Sequence, residues 1–228
     1  MGTPVNCKPN NTGRTVLLLL MSLNDKKSNT FSMTLRQIFL KAVYPVFMWL
    51  SKLTKRNTEI LQNEKIQPPV SFYSLKAVNG RGMLFDFAAL KGKKVLIVNT
   101  ASDCGYTGQY EELEKIQQQY KDGLTVLAFP ANDFGAQEKG TDAEIDAFCS
   151  SHYNISFPVM SKSVVINNAE QTPVYRWLTN ALSNGWNSKV PSWNFAKYLV
   201  DEEGKLVNYF GPSVSPASKE VIDAVQKS

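Results

Sequence analysis

The stretch VNTASDCGYTGQYEEL places Cys104 where an apolar run ends and a pattern of helical spacing begins. A packing cysteine belongs inside an element, whereas one at a junction is placed to react. If the apolar run is a strand, the thiol stands at its carboxyl end, the edge where open α/β sheets hold their sites. The first turn of a following helix leaves N–H groups unpaired, and its dipole favours negative charge. Both make the thiol a stronger acid and raise the share of thiolate, the nucleophilic form. Gly105 lets a reactant approach the backbone. Asp103 works the other way, because a neighbouring carboxylate disfavours a second negative charge. The junction alone leaves two readings open, a reactive thiol and a chance surface cysteine.

Other chemistry is thinly represented. The three cysteines are Cys7, Cys104 and Cys149, too few and too scattered for a disulfide scaffold, and His152 is the single histidine. Without a C-x-x-C or a His/Cys cluster the sequence predicts no metal site, and no motif calls for a cofactor. A Cys–His hydrolase would have to use His152, three residues after Cys149, with nothing else in its support. The net charge of +5 is unevenly spread. Residues 1–66 carry ten Lys/Arg against three Asp/Glu, and the rest carry fifteen against seventeen. A near-neutral body lacks the basic stripe of a nucleic-acid-binding domain, so no nucleic-acid partner is expected.

The elements that must position Cys104 emerge from periodicity. Residues 1–66 read as an N-terminal extension and 67–228 as one domain, with QPPV at 67–70 as the linker. In the extension, TVLLLLM is a weak secretory signal, and Met33 is a second candidate start. The run from Ile38 to Leu50 is interrupted by Lys41 and Pro45. Thirteen helical residues reach about 20 Å, short of the ~30 Å hydrocarbon core. That leaves a helix packed on its own domain, a poorly ordered extension, or a membrane-surface helix within residues 35–56.

Beyond the linker, SFYSLKAV predicts a strand and NGRG a turn. KKVLIVNT and LTVLAFPA read as strands buried on both faces. Between them TGQYEELEKIQQQYKD has helical spacing at Tyr110, Leu113, Ile116 and Tyr120. TDAEIDAFCSSHY opens with a Thr141/Glu144 capping box, and TPVYRWLTNAL predicts a third helix. NFAKYLVD and KLVNYF form a hairpin around EEG, and SPASKEVIDAVQK a last helix. Two buried strands joined by a helix lie parallel with a right-handed crossover. The expected fold class is therefore α/β, a central mixed sheet flanked by helices, compatible with a thioredoxin-like fold.

Four stretches, VNTASDCGYTGQY, FPANDFGAQEKG, FCSSHYNISFPVM and SWNFAKYLVDEEGKLVNYF, together resemble the cysteine-containing, thioredoxin-dependent type of glutathione peroxidase, from about Ser71 to the end. The resemblance implies a peroxidase in which Cys104 is the reactive residue, with Gln137, Trp193 and Asn194 around it. Those types suit the task. The Trp193 indole is a donor only, and each amide donates two hydrogens. Fixed neutral donors hold a thiolate and a departing oxyanion without a titrating base. Attack on a peroxide would leave Cys104 as a sulfenic acid, which condenses with a thiol. Cys149, 45 positions on, matches the place of the family's resolving cysteine; a buried helix cysteine is the plainer reading. A disulfide needs Cα atoms within roughly 7 Å, so a wider separation would require the helix bearing Cys149 to unwind.

The resemblance has departures. Ala131 and Asp133 stand where the family's F-P-C-N-Q-F has a cysteine and a glutamine, so Asp133 is expected to add a negative charge near the thiol. The short chain before W-N-F implies a monomer or weak dimer, with an open site for bulky lipid hydroperoxides. The implied substrate is a hydroperoxide, and the implied donor thioredoxin or glutathione. The expected location is the cytoplasm, with attachment to a membrane through the N-terminal segment as the alternative. A relay that passes oxidation to a partner protein would use the same chemistry. All of this requires residue 104 to be reachable and to stand beside residues 137, 193 and 194.

Overall fold

A computed structural model describes residues 33–54, 57–63 and 66–227; Cys7 and TVLLLLM lie outside the described residues. In chain order the elements are α1 (Leu35–Thr54), β1 (Ile60–Gln62), a 3-10 turn (Phe72–Ser74), β2 (Lys76–Val78), β3 (Leu84–Asp86), a second 3-10 turn (Phe87–Leu90) and β4 (Lys94–Thr100). Next come α2 (Gln109–Gln119), β5 (Leu124–Pro130), α3 (Asp142–Tyr153), α4 (Pro173–Leu178), α5 (Ala181–Asn184), β6 (Lys197–Val200), β7 (Leu206–Phe210) and α6 (Lys219–Gln226).

Five strands form one mixed sheet in the order β1-β7-β6-β4-β5. β4 and β5 are parallel, crossed by α2, while β6, β7 and β1 run antiparallel to their neighbours. This is the expected α/β architecture of the thioredoxin-like kind. Period-two alternation divides the core between the two faces of the sheet. Leu96 and Val98 pack with Leu113, Ile116, Phe148 and Val221 on one face. Val95 and Ile97 pack with Phe129, Tyr175, Trp177 and Tyr198 on the other. Every residue of β4 is buried. Truncating one of its apolar side chains, as in Ile97→Ala, costs about 2–5 kcal/mol.

The sequence reading departs from the structure at several boundaries. SFYSLKAV is not one strand. Ser74 N–H turns back onto the Ser71 carbonyl (3.1 Å), and only Lys76–Val78 extends, pairing with β3 in a separate two-stranded ribbon. The helix expected over TPVYRWLTNAL is two, because the Asn180 side chain accepts from Leu182 N–H and starts a new turn. The division at residue 66 does not coincide with a break in packing. β1 pairs with β7 at the sheet edge, and α1 packs beside the turn holding Cys104. QPPV is likewise pinned: Val70 N–H donates to the Ser183 carbonyl, and the Val70 carbonyl accepts from Trp177 Nε1.

α1 begins where Thr34 and Gln37 form a reciprocal cap, each side chain bonding the other's backbone N–H (2.8 and 3.2 Å). It is longer than the apolar run suggested. Among the described residues no helix is long and apolar enough to cross a membrane.

Candidate active site

β4 delivers the chain to Ala101–Cys104, and three devices fix the turn at that point. The Thr107 hydroxyl accepts from Cys104 N–H (3.0 Å) and lies within donating reach of the Ala101 and Cys104 carbonyls. The Glu138 carboxylate accepts from Ser102 N–H (2.9 Å) and from its hydroxyl (3.1 Å). Asp103 N–H donates to the Gln137 carbonyl (3.1 Å). The turn bearing Cys104 is thereby stitched to the loop bearing Gln137. That loop needs two left-handed residues, Gly135 (φ 64°) and Ala136 (φ 50°), to turn back.

The third segment comes from the other side of β4. Asn99 accepts from Ala196 N–H (3.1 Å) and donates to the Trp193 carbonyl (3.0 Å), and its carbonyl accepts from Phe195 N–H. Phe195 has φ 67°, rare for a bulky residue, and is held there by burial and by edge-on packing against Tyr110. This bend turns the side chains of Trp193 and Asn194 toward Cys104. Asn194 Nδ2 donates to Gln137 Oε1 (3.1 Å), so the two amides are joined. Tyr106 N–H points at the Cys104 sulfur (3.4 Å). The four residues singled out in the sequence, Cys104, Gln137, Trp193 and Asn194, therefore meet in one place.

Electrostatics differ from the sequence expectation in two respects. Burial pushes the Cys104 thiol up to about 11, outweighing the Tyr106 N–H, Asn194 and Trp193, which pull it down; Asp103 adds to the rise. The helix that was to lower it starts only at Gln109, five residues beyond the thiol. Asp133 is not among the groups that shift the thiol; its carboxylate accepts from Val165 N–H (2.7 Å). Ala131 is a buried core residue.

The thiol is also covered. Cys104 is only 1% exposed, against the open site expected from the sequence. α1 packs against the same region. Its Met48 belongs to the cluster that contains Cys104 and Tyr106, and its Arg36 pairs with Asp103. The Tyr44 ring lies where a Cβ on Gly108 would come within 2.4 Å, so only glycine admits this approach. A cleft of about 140 Å³, lined by Thr34 and Gln37 of the α1 cap and by Ser102, Asp103, Gln137 and Glu138, marks the seam.

Cys149 lies mid-way along α3, also 1% exposed, and burial pushes it up to about 12, with Tyr110 close by. Both cysteines are free thiols. Cys149 borders a different depression, together with Asn79, Arg81, Asp146 and Phe157. His152 is turned from it, its Nδ1 held between the Phe148 carbonyl (3.1 Å) and the Ser151 hydroxyl (2.9 Å). Among the described residues no cluster of His, Cys, Asp or Glu is arranged to hold a metal.

Against known proteins, residues 72–179 match the family model described as glutathione peroxidase. The Saccharomyces cerevisiae glutathione peroxidase-like peroxiredoxin HYR1 is 44% identical over 158 residues, covering 68% of this chain and 96% of that protein. The chain belongs to the glutathione peroxidase family. A Lactococcus lactis glutathione peroxidase is 38% identical, across 66% of this chain and 96% of its own length. The crystal structure of Trgpx in apo form matches at TM-score 0.53 and 33% identity, covering 70% of this chain and 97% of that one. That of T. cruzi GPX1 matches at TM-score 0.52 and 33% identity, over 68% and 92%. A thioredoxin family protein from Chlorobium tepidum, at TM-score 0.50 and 19% identity, shares the fold. As a glutathione peroxidase family member the protein is a peroxidase, an oxidoreductase on a thioredoxin-like scaffold.

Sequence reasoning passed over Glu138, Thr107, Asn99 and the Tyr106 amide. Glu138 sits next to Gln137 in GAQEKG, where nothing in the sequence singles it out, yet it is buried and burial pushes it up to about 7. Asn99, polar and inside an apolar strand, was the legible signal: such a residue must find buried partners.

Proposed function

We propose that this glutathione peroxidase family protein reduces hydrogen peroxide and organic hydroperoxides through Cys104, with Cys149 as the resolving thiol. The Cys104 thiolate attacks one peroxide oxygen; an S–O bond forms, the O–O bond breaks, and the departing oxygen leaves as water or alcohol after taking a proton. Cys104 becomes a sulfenic acid, having given up two electrons. The Cys149 thiolate then attacks that sulfur, an S–S bond forms, the S–O bond breaks, and the hydroxide leaves as water after taking a proton. A dithiol donor of the thioredoxin type returns two electrons by exchange through a mixed disulfide. Glutathione, reducing the sulfenic acid directly, is the other donor the family implies.

The observation that carries this reading is the ring of neutral donors about Cys104, namely Tyr106 N–H, Asn194 and Trp193, with Gln137 bonded to Asn194. Such donors stabilise a thiolate and receive a developing oxyanion without a base. Two conformational steps are built into the reading. Cys104 must be uncovered for peroxide to reach it, and the buried Cys149 must come within disulfide reach of it, α3 loosening where the Cα atoms stand more than roughly 7 Å apart. The protein works as a monomer or weak dimer in a reducing compartment, the cytoplasm, where such donors stay reduced. Nothing observed favours the relay alternative.

The test is peroxide turnover measured with a thioredoxin system and, separately, with glutathione and its reductase. Faster turnover with thioredoxin, abolished in Cys149→Ser, is the expected result. Turnover with glutathione alone, unchanged in Cys149→Ser, would remove the resolving role.

A further inference from the structure

α1 is amphipathic in an unusual sense: its apolar stripe faces away from the protein. Leu35, Ile38, Phe39, Val46, Trp49 and Leu50 recur at helical spacing, and each is between 48 and 87% exposed. A surface helix of a globular protein ordinarily turns that stripe inward. The inward side of α1 carries only a few apolar contacts: Met48 is buried and the Tyr44 ring packs on Gly108, while Gln37 is buried nearer the start of the helix. It is held by Arg36 on Asp103, Lys41 on Glu111 (2.8 Å) and the Tyr44 hydroxyl on Glu112 (2.7 Å). Arg36, Lys41 and Glu111 are all substantially exposed, and ion pairs of that kind hold weakly. An apolar face is thus presented to water by a helix whose hold on the protein is a few polar pairs and the contacts of Tyr44 and Met48.

The geometry points to one occupant, the surface of an anionic lipid bilayer, and we propose that α1 docks there and in doing so releases Cys104. Charge selects the bilayer. Residues 1–66 carry ten basic against three acidic residues, with Lys52, Lys55 and Arg56 at and just beyond the end of the helix. Anionic headgroups attract such a segment, and an apolar stripe seats at the headgroup–acyl boundary. A second copy of this chain would bring the same positive segment against itself. The helix lies on the bilayer rather than across it, since it is not apolar enough to span. Seating the stripe pulls α1 from its partners Asp103, Glu111 and Glu112, and Asp103 is the chain neighbour of the covered thiol. The release of Cys104 rests on the proposed function; the docking does not.

The experiment uses the full chain with vesicles of phosphatidylcholine, with and without phosphatidylglycerol, read three ways. Flotation and a blue shift of Trp49 fluorescence report docking. Mass spectrometry of iodoacetamide adducts reports the alkylation rate of Cys104, which needs no peroxidase activity. The expected result is flotation with phosphatidylglycerol vesicles, lost at high salt, with at least tenfold faster alkylation of Cys104. The double variant Phe39→Gln/Trp49→Gln, altered only at exposed positions, should lose both by at least tenfold while its lipid-free alkylation is unchanged. Equal flotation of variant and parent, or none of either, overturns the docking. Flotation without faster alkylation overturns the release. A concentration-dependent dimer abolished by the variant, without flotation, assigns the stripe to a second copy and overturns the proposal.

Discussion

Replacing Asn194 with alanine separates what a donor does for the thiolate from what it does for the departing oxygen. Asn194 is fully buried, stands beside Cys104 and donates to Gln137. A hydrogen bond to a charged partner contributes about 1.5–3 kcal/mol, so its loss raises the thiol by about one to two pKa units. Cys104 lies near 11 before the change, so at neutral pH its thiolate fraction falls by the same factor. A more basic thiolate is also a better nucleophile, with a Brønsted slope of about 0.4–0.5, which returns nearly half of that loss in logarithmic terms. Alkylation by iodoacetamide, which develops no oxyanion, should therefore slow by roughly 3–10-fold. Peroxide attack also loses a donor to the leaving oxygen, which is worth about a further 10²-fold. The assay is stopped-flow oxidation by hydrogen peroxide beside alkylation of the same sample, with a thermal melt to verify folding. Equal losses in the two reactions would refute the oxyanion role, and no loss in either would refute the donor role altogether.

Single contacts yield other expectations. Glu138 keeps its proton to about pH 7 when folded, against 4.5 ordinarily. Between those values the folded state binds more protons, so stability falls as pH rises, by about 3 kcal/mol in all. Glu138→Gln should flatten that slope in melts taken from pH 4 to 8, and an unchanged slope would show that another group titrates. Cys149→Ser should keep the first oxidation of Cys104 but lose thioredoxin-coupled turnover; in the parent, oxidation should expose α3 to proteolysis, and protection equal to the reduced form would count against unwinding. Phe195→Ala should cost about 3–5 kcal/mol for its lost ring. At φ 67° Phe195→Gly should be milder than alanine by about 1 kcal/mol, the reverse of the order at an ordinary position, as denaturant midpoints would reveal.

How much of this was legible in the residues differs by element. β4 and β5 declared themselves because a strand buried on both faces reads as a nearly unbroken apolar run, VLIV in β4 and VLAF in β5. α3 was marked by its capping box. The motifs also placed Cys104, Gln137, Trp193 and Asn194 in one site, and the structure brings those four together. What could not be read was anything decided by packing between distant segments. The seat of α1 beside the Cys104 turn depends on Gly108 admitting the Tyr44 ring, a contact 64 positions apart in the chain. The strand-like SFYSLKAV folds as a turn because Phe72 is drawn into the core against Phe87 and Trp177. Glu138 went unmarked, since burial of a charge leaves no trace in its immediate neighbours. The rise in the Cys104 pKa belongs to the same class: the local donors were foreseeable, the burial that overrides them was not.

At the heart of the proposed chemistry, the sulfur of residue 104 takes an oxygen atom from a peroxide. The direct measurement is mass spectrometry of the reduced protein after one equivalent of hydrogen peroxide, in the parent and in Cys149→Ser. The expected products are a Cys104–Cys149 disulfide in the parent and a sulfenic acid at Cys104, trapped by a carbon nucleophile, in the variant. Oxygen appearing on methionine or on Cys149 while Cys104 stays a free thiol would contradict that chemistry.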